Sequence, residues 1–292
     1  RLRIDMLAEE RLKNDDEVSI YLLNKITTGS TYVNDLDFVV INKRNWSEKK
    51  QILKNLLHPD NVFGSTPLAE ITNRIRLDIM KNQMRGIMYT IIFIIDGEPN
   101  NQKTFEYELK RLIREVPCLL IFNMVTDNDD TISIYNDLDV KLNEDKRVKE
   151  MSPIVDVLDD FKSEAIEVNK VNPWLTYSLD LHKKRMMGVK NITFDLIDED
   201  NMSNFHIDIF IRIILDNQDI PEIGSSNYFS TIDKLVEKKL VFDIITNSFK
   251  KLIDVRKLRQ RFNGNNTIIE LTQCNYFIII LGIITFGMLC YL

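Results

Sequence analysis

Glycine and proline are scarce in this chain, nine and seven among 292 residues, which excludes a collagen-like or Pro/Gly-rich low-complexity protein. Cysteine is scarcer still. Cys118, Cys274 and Cys290 are the only three, and they form neither an even disulfide set nor a metal-ligand spacing, so a reducing compartment is expected. The three histidines, His58, His182 and His206, lie beside no Ser or Cys elbow motif. Gly64 lacks companions at the spacing of a phosphate-binding loop. These absences argue against an enzyme. Positive charge is in deficit too: 38 Lys and Arg against 44 Asp and Glu give a net charge of -6. Nucleic acid is therefore not the expected partner, because binding phosphates needs a surplus of cations.

Uncharged apolar runs of spanning length are absent until the last residues. Tyr276 to Leu292 is seventeen residues without a charge, about 25 Å as a helix and near the lower limit for a bilayer core of ~30 Å. It reads as a C-terminal transmembrane anchor. Lys250, Lys251, Arg256, Lys257, Arg259 and Arg261 precede it and place the N-terminal part on the cytoplasmic side by the positive-inside tendency.

What is present is ordinary for a globular protein, with 44% hydrophobic and 28% charged residues. The chain is organised around Tyr89-Thr-Ile-Ile-Phe-Ile-Ile-Asp96-Gly97-Glu98-Pro99-Asn100. Thr90 to Ile95 is almost wholly β-branched or aromatic, as expected of a central parallel strand covered on both faces. Asp96-Gly97 ends it in a polar turn. Ligands of open parallel sheets bind just beyond the carboxyl ends of the strands, where Asp96 would sit. Upstream, Phe63-Gly64-Ser65-Thr66-Pro67-Leu68-Ala69-Glu70 reads as a glycine turn entering a helix, with Pro67 at a first-turn position and the Ser65 and Thr66 hydroxyls at the positive end.

The alternation continues. Val18–Asn24 and Asp37–Ile41 read as an edge hairpin, and Asn45 to Leu57 as a helix with Asn45 and Glu48 as a capping box. Helices are expected over Leu68–Met84, Thr104–Arg114 and Ile132–Leu138, with strands at Cys118–Val125 and Ile154–Leu158. This is the spacing of an α/β, Rossmann-like doubly wound sheet. Ile192–Ile197 and Phe205–Leu215 are apolar but ambiguous between strand and helix. From Ser230 to Phe262 the spacing of Ile232, Leu235, Val236, Phe242, Ile245, Phe249, Leu252 and Ile253 predicts one or two amphipathic helices.

The two central stretches together resemble the von Willebrand factor A domain, whose metal-ion-dependent adhesion site takes a Thr from a G-T-P-L loop and an Asp from a strand-T-D-G turn. Thr66 and Asp96 stand at those positions, with Ile95 where the family often has Thr. Residues Asp16 to Asn24, Leu120 to Val125 and Pro153 to Val157 resemble a branch of the family found in fungi, protists and large DNA viruses. The family's D-x-S-x-S motif, on its first strand, does not occur, and that strand is expected upstream of Arg1. The rival account is a degenerate, metal-free A domain.

The resemblance implies Mg²⁺ as cofactor with Thr66 and Asp96 as metal ligands, and no catalytic residue. A partner protein's Asp or Glu would fill the open coordination position, with Ser65, Glu98, Asn100 and Asp127 as rim of the partner-binding face. Expected organisation is an A-like domain over 1–190, a mainly helical extension over 191–263, a linker over 264–275 and the anchor over 276–292. The function expected is a membrane-anchored, Mg²⁺-dependent protein-interaction module, in a viral setting on the inner side of a particle. The alternatives are a metal-free scaffold, a membrane-linked virion or assembly protein, and a Mg²⁺-dependent hydrolase.

Overall fold

The structure is a computed structural model that describes residues 17–23, 27–28, 31–32, 38–56, 65–82, 87–126, 128–143, 155–189, 191–198 and 202–263. Gly64, Asp127, the segment before Glu17 and the apolar tail lie outside the described residues. The chain divides into two compact units, Arg1–Ser163 with Asp180–Asp195, and Glu164–Leu179 with Leu196–Leu292. Residues 164–179, within the expected 1–190 domain, fall in the second of these units.

The first unit is mixed α/β. Strands β1 (Val18–Tyr21) and β4 (Phe38–Ile41) pair antiparallel, Val18 opposite Ile41, around the short ladder β2 (Thr27–Thr28) and β3 (Thr31–Tyr32). Helices α1 (Trp46–Leu56) and α2 (Leu68–Asn82) lead to β5 (Tyr89–Ile95). Then come α3 (Gln102–Glu115), β6 (Cys118–Met124), α4 (Asp129–Asn143), β7 (Val155–Leu158), and α5 (Phe161–Val171), in which the chain passes to the second unit. It returns for α6 (Leu179–Met186) and the single turn α7 (Ile192–Asp195). The expected cap of α1 is replaced: the Asn45 carboxamide accepts from the Asn42 N–H at 2.8 Å and donates to the Val40 carbonyl.

Strands β5, β6 and β7 form a parallel three-stranded sheet in that order. Alternate side chains feed different cores. Ile91, Phe93 and Ile95, with Leu120, Phe122, Met124 and Val155, pack on Leu68 and Ile75 of α2, Phe105 and Leu109 of α3, and Tyr135 and Leu138 of α4. Phe93 stacks on Phe122 at 4.9 Å, with Phe105 edge-on to both. On the other face Ile92, Ile94, Leu119, Ile121 and Leu158 meet Met186 and Met187. Gly188 (φ +71) closes that face: a Cβ there would stand 2.8 Å from Leu119 Cδ2 and 3.0 Å from Thr90 Cγ2.

The sequence places β5 in the centre, whereas among the described residues β6 is the middle strand and β1–β4 is a separate ladder. The reason is that apolar alternation reports covered faces, and β5 is covered on both. It does not report which edges carry neighbours.

The second unit holds α8 (Asn204–Leu215), α9 (Tyr228–Val236), an antiparallel hairpin of β8 (Leu240–Asp243) and β9 (Ser248–Lys251), and a helical segment over 255–263. Ser203 caps α8 through a bond from the His206 N–H, and Asp216 in the left-handed region ends it. Tyr228 and Arg212 both donate to Asp208 at 2.9 Å. The hairpin corrects the helix expected through 240–251. The physical cause is the turn: Asp243 accepts from the Ile245 N–H and the Thr246 hydroxyl, and Asn247 takes φ 52, so turn chemistry overrides spacing.

Candidate functional site

The parallel sheet ends in a rim made by the residues that follow its strands. After Ile95 the chain bends through Asp96 and Gly97, with Asp96, Glu98 and Asn100 exposed and Pro99 buried. The loop before α2 meets this turn. The Thr66 N–H donates to Asn100 Oδ1 at 2.8 Å, and the Asn100 N–H donates back to the Thr66 carbonyl at 3.0 Å. The Thr66 hydroxyl lies 3.7 Å from where a Cβ on Gly97 would stand. Thus the structure brings Thr66 beside the Asp96-Gly97 turn, although thirty residues separate them in sequence.

From below, the buried Tyr135 of α4 donates its hydroxyl to the Gly97 carbonyl at 2.8 Å. Burial raises its pKa, and the carboxylates of Glu98 and Asp96 raise it further. Tyr135 therefore stays protonated and remains a donor at any physiological pH. Asn101 completes the turn by accepting from the Thr104 N–H and capping α3. The lock on Gly97 was missed by sequence reasoning, because a tyrosine on the apolar stripe of a helix carries no sign of where its hydroxyl reaches.

The neighbouring strand ends add acid. After β6, Val125 donates to the Ile95 carbonyl, and Asn128 caps α4 by accepting from Asp130 and Thr131 N–H groups. After β7, Asp159 sits above the usual carboxylate range: burial is the main cause, and the charges of Asp160 and Asp129 add to it. Asp160 lies below that range. Burial opposes its charge, but bonds from the Ser163 hydroxyl and from the Lys162 and Ser163 N–H groups, with the His182 imidazole nearby, outweigh it. Ser65 is exposed and engaged by another group of the chain.

Magnesium demands oxygen ligands and keeps several waters. Thr66 supplies a neutral oxygen and Asp96 a carboxylate on one open rim, and that donor chemistry fits part of such a site. Among the described residues Asp96 joins no group of three carboxylate, imidazole or thiolate ligands. One such group exists, in the second unit: Glu164 and Glu167 of α5 with Asp198, whose ligand oxygens lie within 4.8 Å of one another. This cluster could in principle hold a metal ion, though Glu164 is buried and each of the three is already engaged by another group of the chain. Sequence reasoning missed it. The i, i+3 spacing of the two glutamates puts them on one helix face, but nothing local shows Asp198 arriving from thirty-one residues beyond Glu167.

Among the described residues no helix is long and apolar enough to cross a membrane. The chain matches no protein-family model, no curated protein and no solved structure.

Proposed function

We propose that this chain is a membrane-anchored interaction module of the von Willebrand factor A type, which engages a partner protein through Mg²⁺ held in part by Thr66 and Asp96. The observation that carries this reading is the meeting of the Thr66 hydroxyl with the Asp96-Gly97 turn at the carboxyl rim of a parallel sheet. Two cores on opposite faces of that sheet support a doubly wound arrangement. In this reading the metal supplies a Lewis-acidic position for a partner's Asp or Glu. Thr66 and Asp96 orient it, while the Asn100 and Tyr135 bonds hold both loops still. Glu98, Asn100, Ser65 and Asp127 form the surrounding contact surface. The segment 276–292 anchors the chain, with the folded part on the cytoplasmic side.

Titrating Mg²⁺ calorimetrically into the detergent-solubilised full chain tests the site. Saturable uptake is expected, abolished in Asp96→Ala and weakened in Thr66→Ala, with thermal stability without metal unchanged in Asp96→Ala because that side chain is exposed. No uptake by the parent chain would overturn the metal-dependent reading. It would leave a scaffold in which the same contacts serve only to pin two loops together.

A further inference from the structure

The hairpin of the second unit turns the wrong side outward for a protein that meets only water. Its register pairs Leu240 with Lys251 and Phe242 with Phe249, so these four side chains share one face. Phe249 is 70% exposed, Leu240 58%, Phe242 37%, and Ile245 in the turn 39%. The rings of Phe242 and Phe249 meet edge to face at 5.7 Å and form one ridge.

That ridge is mounted on a fixed base. Asp243 holds the turn through Ile245 and Thr246 and is paired with Lys250 at 2.6 Å. The Thr176 hydroxyl donates to the Lys251 carbonyl at 2.8 Å, and the Leu252 N–H donates to the Lys239 carbonyl at 3.1 Å. The apolar side chains are therefore held out by ordered backbone rather than exposed by fraying.

Charge around the ridge has the sign opposite to that of the chain. Residues 233–261 carry nine Lys and Arg against four Asp and Glu, a surplus of five, in a chain of net charge -6. A cleft of about 620 Å³ beside Ile245 is lined by five cations, Lys250, Lys251, Arg256, Lys257 and Arg259, against three acids, Asp233, Asp243 and Asp254, of which Asp233 pairs with Lys251 at 3.0 Å. Arg256 is exposed in the first turn of the helical segment 255–263. Protein-binding patches have cores depleted of lysine, whereas here Lys251 stands on the face of the ridge itself. Exposed aromatic and aliphatic side chains with a basic surround suit the bilayer interface, where apolar groups enter the headgroup boundary and cations meet anionic lipids.

We propose that the β8–β9 hairpin docks on an anionic bilayer surface, with Leu240, Phe242, Ile245 and Phe249 entering the interface and Lys251 and Arg256 meeting lipid headgroups. This contact is separate from the proposed anchor and does not require it. The two are close in the chain, because twelve residues, 264–275, separate the helical segment 255–263 from the apolar run.

The full chain carrying Phe249→Trp, reconstituted with vesicles of phosphatidylcholine alone or with added phosphatidylserine, reads the docking. The emission of Trp46 and Trp174 in the parent chain is subtracted. With phosphatidylserine the added emission is expected to shift to the blue and to be quenched severalfold by brominated acyl chains. With phosphatidylcholine alone it stays open to aqueous iodide. Adding Lys251→Glu and Arg256→Glu should abolish the lipid quenching. The exposed pair Phe242→Ser and Phe249→Ser, which leaves the core untouched, should lower the chain's association with anionic vesicles. Iodide access to position 249 that is equal in both lipids overturns the proposal. So does shielding that grows with protein concentration in the absence of lipid, which would mark a contact between copies. Retention on neutral vesicles reports the apolar tail alone, so failure of the anchor and failure of the docking are separately visible.

Discussion

The carboxyl rim of the first unit and the hairpin of the second are each built around a turn pinned by polar side chains, yet one acid of the rim, Asp159, is shifted opposite to Asp243 of the hairpin. Burial works against ionisation of both Asp159 and Asp243. Asp159 is crowded by Asp160 and Asp129 and lies above the usual carboxylate range. Asp243 is bonded by Lys250, Thr246 and the Ile245 N–H and lies below it. Burial pushes both upward, and only at Asp243 do the neighbours outweigh it. One surface crowds its acids together, and the other pairs its acid with a cation.

The sharpest way to break the contrast is to remove an aromatic from each region. Tyr135→Ala takes a fully buried ring from the Phe105 and Phe122 packing and frees the Gly97 carbonyl. It is expected to cost about 3–5 kcal/mol in urea unfolding, the range for large buried aromatics. Phe249→Ser, in contrast, should change stability by less than about 0.5 kcal/mol, since that ring is mostly in water. Equal losses would erase the distinction between a structural rim and a displayed hairpin.

Next in size is Tyr135→Phe, which keeps the ring and deletes only the bond to the Gly97 carbonyl. A loss of about 1 kcal/mol is expected, with weaker Mg²⁺ uptake because the turn carrying Asp96 loosens.

Smaller effects separate the two acids by pH. The lowered Asp243 stabilises the fold at neutral pH, and that contribution is lost as pH falls through its folded value, below the ordinary aspartate range. Asp243→Asn should therefore melt lower than the parent at pH 7, with the gap closing in acid. The raised Asp159 behaves oppositely: its contribution is most favourable below the ordinary carboxylate range and is lost as pH rises through its folded value. Asp159→Asn should melt slightly higher than the parent at pH 7 and converge with it in acid. Thermal melts across that range decide both, and shifts of the same sign would refute the contrast.

Strands β5 and β6 and helices α2 and α3 were legible within a few residues, because each is long and its apolar period is unbroken. The approach of Thr66 to the Asp96 turn was expected only through the resemblance of these two stretches to the von Willebrand factor A domain. What was not legible depends on contacts between distant residues. The strand order escaped because pleated alternation is blind to edges. The hairpin escaped because Phe242 and Phe249, seven apart, suit both two helical turns and a cross-strand pair. The Glu164, Glu167 and Asp198 cluster escaped because its third member comes from another loop.

The tight approach of Gly188 to the sheet has a consequence for how this protein can change over time. With Leu119 Cδ2, Thr90 Cγ2 and Ile121 Cγ1 all within 3.3 Å of the place a methyl group would occupy, a side chain at position 188 requires these neighbours to move aside or shrink. Drift at 90, 119 and 121 should therefore be correlated. A smaller residue at one of them eases any replacement at 188, and the positive φ restricts even that replacement to residues such as Asn.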